Sequence, residues 1–134
     1  MKKLTKSQKE LKVEISSAIE SSYEDLVEEI EEYNESEVKD RSTVKTAAEQ
    51  YQAALADAKI FMDGLHGDMT EYYDARSEKW QEGDAGQNYQ YWADQWDEAN
   101  IEEYVLLFSE SDEHEDVDSP EDQRDIFSDL PDEP

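Results

Sequence analysis

Ten carboxylates lie between residues 13 and 38 with no lysine or arginine among them. Within this run Glu24, Glu28, Glu31, Glu32 and Glu35 recur at steps of three and four or side by side, so a helix would display them as one row. Carboxylates fixed in a row have the charge and acceptor chemistry of backbone phosphates. Asp63, Asp68, Glu71, Asp74 and Glu78 repeat the pattern further along and are expected to form a second row. Duplex DNA carries one negative charge per about 1.7 Å of axis. Residues 13–38, rising about 1.5 Å each, carry one per about 4 Å. One helix is too sparse to imitate a duplex, and two or three acidic faces must stand side by side to approach it.

Other chemistry is thinly represented. His66 lies between Gly64 and Gly67, and His114 sits among Glu113, Glu115 and Asp116, where loose binding of a divalent cation is the most it offers. The stretch from Asp116 begins like a calcium loop, but Glu121 occupies the position where such a loop needs glycine and Pro120 interrupts it. There is no phosphate-binding glycine loop, no serine elbow and no HExxH. With no cysteine, thiolate catalysis, disulfides and cysteine-ligated metals are excluded. The expectation is a protein that is not an enzyme and that needs no cofactor or metal.

The 134 residues carry 38 acidic against 12 basic side chains, a formal net charge of −26 at pH 7. Such a field repels nucleic-acid backbones and anionic membranes and attracts cationic surfaces. The charge is polarised along the chain: residues 1–12 hold five lysines and one glutamate, whereas residues 109–134 hold twelve acids and one base. No apolar run follows the lysines, which argues against a secretory signal, and none approaches membrane-spanning length. The expected location is the cytoplasm, with a basic nucleic-acid-binding protein as partner, no direct nucleic acid and no membrane.

The elements that position these residues read as helices. Ser7 to Glu10 has the spacing of a capping box, and Leu11, Ile15, Ile19, Tyr23, Leu26, Ile30 and Tyr33 follow at helical steps. Asn34 to Ser36 ends this helix, and Asp40 or Ser42 caps the next. That second pattern runs from Val44 through Leu55, Met62 and Met69 to Trp80, keeping its phase across Gly64 and Gly67. After a turn at Glu82 to Gly86, a third helix carries Tyr89, Trp92, Trp96 and Ala99 on one face. Ile101 to Phe108 is read as a final helical turn or two rather than a strand, because a lone strand has no partner.

Eight aromatic residues crowd between Tyr72 and Tyr104. Trp80, Tyr89, Trp92 and Trp96 are expected to fill the core between the second and third helices, while Tyr91 falls off that face and is a candidate partner contact. Residues 109–134 contain all three prolines and few apolar groups, so they read as a disordered acidic tail. Within it Ile126, Phe127 and Leu130 have the spacing of a short amphipathic turn that docks in a basic-rimmed groove of a partner, with Phe127 as anchor.

The segment YYDARSEKWQEGDAGQNYQYWADQW, Tyr72 to Trp96, resembles small uncharacterised proteins of bacteriophages and mobile elements. The short, acidic, cysteine-free helical chain is similar in kind to anti-restriction and anti-CRISPR proteins that imitate DNA. That resemblance implies an inhibitor of a restriction or CRISPR effector, acting in the host cell. The alternative is a helical adaptor that binds through the aromatic patch and the tail. The expected fold is all-α: a small bundle over residues 1–108, in which the first helix pairs antiparallel, like a coiled coil, with a long central helix. The tail follows over 109–134. The apolar stripe of the two long helices is narrow, and a homodimer is one arrangement that would complete their core.

Overall fold

The hydroxyl of Thr5 accepts from the Gln8 amide at 3.1 Å while the Gln8 side chain accepts from the Thr5 amide at 2.8 Å, and this reciprocal cap starts α1 (Lys6–Glu35). The capping box is therefore two residues earlier than Ser7 to Glu10. Starting there lets Leu4 turn into the core, where it is buried. The computed structural model describes residues 1–36, 40–106 and 117–134. The expectations for His114 and for the loop beginning at Asp116 lie outside the described residues.

The second helix, α2 (Arg41–Asp74), is capped by Asp40, whose carboxylate accepts from the Ser42 amide at 3.0 Å and from its hydroxyl at 2.6 Å. As expected, α2 passes through Gly64 and Gly67 without a break. It stops at Asp74 rather than continuing to Trp80. A helix continued to Trp80 would set it about 12 Å beyond Tyr72 along the axis, whereas the two rings pack side by side. Instead Ser77 caps a short α3 (Glu78–Glu82), and the Gln81 amide donates to the carbonyls of Tyr73 and Arg76 at 2.8 and 3.3 Å, satisfying the open end of α2. This turn brings Trp80 within 6.0 Å of Tyr72 and 5.8 Å of Tyr89, measured between ring centres.

The turn expected over Glu82 to Gly86 is confined to Gly83, after which α4 (Asp84–Glu98) begins. Gly86 lies inside α4, and a Cβ on it would stand 2.4 Å from the carbonyl oxygens of both Trp80 and Gln81. Only glycine permits that corner. The apolar face of α4 buries Tyr89, Trp92, Ala93 and Trp96.

Facing residues fix α1 and α2 as antiparallel. Glu28 lines a hollow with Thr46, the rings of Tyr23 and Tyr51 are 5.7 Å apart, and Ile15 lines another hollow with Asp57. Both helices point their buried stripes toward a third layer built from α4, residues 101–106 and residues 117–134.

Two expectations change in this layer. Residues 101–106 are neither helix nor strand. They are held as an irregular segment by Gln123, whose amide exchanges hydrogen bonds with the Glu102 backbone at 2.6 and 3.0 Å, and by Gln52, which donates to the Tyr104 carbonyl at 2.7 Å. Residues 117–134 are not a disordered tail. They carry α5 (Arg124–Ser128) and bury Val117, Phe127 and Leu130. Phe127 packs 5.7 Å from Phe61 and 6.2 Å from Trp96. The amphipathic turn does dock in an apolar groove, but the groove belongs to the same chain. Its contacts cover part of the apolar stripe that a second copy would otherwise complete.

Candidate acidic interface

Ile15, Ile19, Ser22, Leu26, Ile30 and Tyr33 are buried along one stripe of α1, which leaves the opposite side to its acids. Glu24, Glu28, Glu31, Glu32 and Glu35 are all exposed. From Glu20 to Glu35 the helix holds eight carboxylates and no base. That is one charge per about 3 Å of axis, close to the 3.4 Å spacing along a single DNA strand.

A second acidic segment runs beside this ridge. Asn34 clamps the Val117 backbone with two hydrogen bonds, donating to the carbonyl at 3.0 Å and accepting from the amide at 2.8 Å. At the other end Arg124 meets Glu24 at 3.3 Å and lies 4.8 Å from the centre of the Tyr23 ring. Residues 117–124 therefore travel antiparallel to α1 over its C-terminal half. They bring exposed Asp118, Glu121 and Asp122 alongside the glutamates, with Asp125 immediately beyond. The combined density approaches one carboxylate per about 2 Å, against about 1.7 Å for the duplex.

Arg124 places a cation inside this field. Its guanidinium binds Asp122 in a fork, at 3.0 Å from Nε and 2.8 Å from Nη2. Those hydrogen bonds push the Asp122 carboxyl down to about 2 and raise the guanidinium's own hold on its proton. By joining Asp122 to Glu24 it relieves repulsion between the two acidic segments.

The second predicted row stands elsewhere. Asp63, Asp68, Glu71, Asp74 and Glu78 are all exposed, but the antiparallel pairing puts them at the opposite pole, centred about 35 Å along the axis from the first row. There the Lys-rich start of the chain faces them, and Asp68 and Arg76 are both close enough to act on the Met1 amine. This row is not part of the same face. Residues 118–125 take its place, and the sequence holds the signal for them: an acid run ending in the apolar anchors Phe127 and Leu130.

Tyr91 is 68% exposed on α4, as its position off the apolar face implied, whereas Phe127 is fully buried and unavailable to a partner. His66 faces Asp97 across α2 and α4, Nδ1 to Oδ1 3.8 Å, beside a 220 Å³ hollow shared with Lys59 and Asp63. That distance suits an ion pair when the imidazole is protonated, not a hydrogen bond. Among the described residues no group of three or more His, Cys, Asp or Glu side chains is arranged to hold a metal ion, and no helix is long and apolar enough to cross a membrane.

No protein-family model, curated protein or solved structure matches this chain. Its own geometry carries the functional reading.

Proposed function

We propose that this chain is a non-enzymatic DNA mimic that inhibits a nucleic-acid-binding defence enzyme of the host, of the restriction or CRISPR effector kind, by occupying its cationic groove in the cytoplasm. The observation that carries the reading is the base-free ridge of α1 from Glu20 to Glu35, flanked by Asp118, Glu121 and Asp122 at a density near that of a duplex. A solvated surface needs far less charge than this. Packing fixes the ridge on a long helix, so the acids stay spaced and do not collapse or spread as a free polyanion would. Ions released from the lysines and arginines of the groove favour the association.

The test is a titration of this protein into a restriction endonuclease or CRISPR effector bound to labelled duplex DNA. Release of the DNA, with an apparent affinity that drops steeply between low and moderate salt, is the expected result. A ternary complex holding both the DNA and this chain would end the proposal.

A second reading, that of a helical adaptor, draws on the exposed Tyr91 alone, because the tail anchor Phe127 is committed to the core. It calls for a partner complex that is insensitive to salt and is lost in Tyr91→Ala.

A further inference from the structure

The hairpin of α1 and α2 has two faces, and the third layer covers one of them. Along the other, three hollows in a row follow the seam between the helices and mark out a groove. It opens as a 490 Å³ hollow between Asp25, Glu28 and Glu29 of α1 and Ser42, Thr46 and Gln50 of α2. Further along the seam a hollow of about 180 Å³ lies over Ala18 and Ala54, and it adjoins a 240 Å³ hollow bounded by Leu11, Ile15, Ile60 and Phe61.

The two ends differ in chemistry. At the apolar end Ile60 is 71% and Leu11 45% exposed, so large aliphatic side chains face water above a floor of Ile15 and Phe61. At the other end and along the walls stand Asp25, Glu28, Glu29, Glu14 and Asp57, and no lysine or arginine lines any of the three hollows. A second copy of this chain laid on the groove would set these carboxylates against their own kind. An uncharged apolar partner would leave the acidic end unmatched.

We infer that this groove receives an amphipathic helix of a partner protein, apolar in one half and rich in lysine or arginine in the other. From Leu11 to Glu29 the groove is about 27 Å long, the length of about eighteen helical residues. Small residues along it, Ala18 and Ala54, let a third helix approach the seam closely. Aliphatic side chains of the incoming helix cover Leu11 and Ile60, and its cations lie between the carboxylates of Asp25, Glu28 and Glu29. The inference goes beyond the proposed function, since it does not depend on competition with DNA.

An eighteen-residue designed peptide tests it, with leucines on one face of its first half and lysines on the same face of its second. The control has the same composition in scrambled order. Calorimetry and methyl NMR on the full chain are expected to give one-to-one binding, about tenfold tighter than the control, with shifts at the Leu11 and Ile60 methyls. Ile60→Glu, at an exposed position that does not support the core, is expected to weaken binding about tenfold. Val13→Glu makes the same change of charge at an exposed site off the groove and is expected to leave binding intact. Equal affinity for ordered and scrambled peptides, indifference to Ile60→Glu, or a dimer that shields Leu11 and Ile60 would each overturn the inference.

Discussion

Lys12 Nζ lies 2.7 Å from Asp132 Oδ1, joining the first helix to a carboxylate 120 positions later. The lysine is buried, and its ammonium also donates to the Leu130 carbonyl. Between those two acceptors the carbonyl of Pro131 takes both indole donors of α4, Trp92 at 2.7 Å and Trp96 at 2.9 Å. Three donor side chains of two helices thus make four hydrogen bonds to three consecutive residues of the C-terminal segment, and the Leu4 amide adds a further bond at 2.9 Å to the Asp132 carbonyl. These bonds explain how a strongly acidic segment stays on an acidic protein: its backbone acceptors enter the core while its carboxylates, Asp132 apart, stay exposed.

Lys12→Met keeps the aliphatic stem but removes the donor from a buried carbonyl and a half-buried carboxylate. A loss of about 2 kcal/mol is expected in urea unfolding. Asp132→Asn, at a more exposed site that keeps some hydrogen-bonding capacity, should lose less. Equal stability of Lys12→Met and the unaltered chain would show that the clamp contributes nothing.

Phe127→Ala is expected to cost about 3 to 4 kcal/mol, because a fully buried ring between Phe61 and Trp96 leaves a cavity behind. Near-ultraviolet circular dichroism should lose signal along with stability, since the aromatic surroundings of Trp96 change. A tail that did not fold onto the core would leave both measurements unaffected.

The glycines divide by their surroundings. A Cβ at Gly64 or Gly67 meets nothing within 4 Å, so Gly64→Ala and Gly67→Ala should each raise stability by about 0.5 to 1 kcal/mol through helix propensity. Gly86→Ala should lower it by several times that amount, because the methyl collides with the backbone carbonyls of Trp80 and Gln81. Thermal unfolding of the three variants checks the order.

Burial pushes the Tyr89 hydroxyl up to about 12, and the group donates to the Met1 carbonyl at 2.6 Å. In the unfolded chain it ionises near 10, so its contribution is complete below that pH and is lost as pH rises toward 12. Tyr51 and Tyr104 are raised by burial as well. Tyr89→Phe should therefore flatten the alkaline fall in stability while costing about 1 kcal/mol at neutral pH. Absorbance of tyrosinate against pH, compared with unfolding, reads both effects.

Neutralising Glu28, Glu31, Glu32 and Glu35 together to glutamine should weaken binding to a cationic target by at least about tenfold at low salt and flatten its salt dependence. The matched change of Asp63, Asp68, Glu71 and Asp74 to amides should have a much smaller effect, as that row lies at the lysine-bearing pole. Equal losses from the two sets would mean that net charge alone governs binding.

Local pattern carried much of the architecture. Steps of three and four along Ile15 to Tyr33 and Val44 to Met69 specified two long helices, the cap of the second was narrowed to Asp40 or Ser42, of which Asp40 serves, and the face of Tyr89, Trp92 and Trp96 was legible because amphipathic periodicity depends only on near neighbours. Trp80 departs from that pattern: its phase continues that of α2, while the break before it accompanies packing of its ring on Tyr72 and on Tyr89 of α4, which lies outside any local window.

Composition and periodicity were enough to establish an acidic all-helical chain with a glutamate ridge on α1. They did not reveal which acids become neighbours. Antiparallel pairing sent Asp63 to Glu78 to the far pole, and the docking of Phe127 and Leu130 brought Asp118 to Asp122 to the ridge instead. Such choices belong to tertiary structure, because they arise from fit between surfaces distant in sequence, which no short window of residues contains.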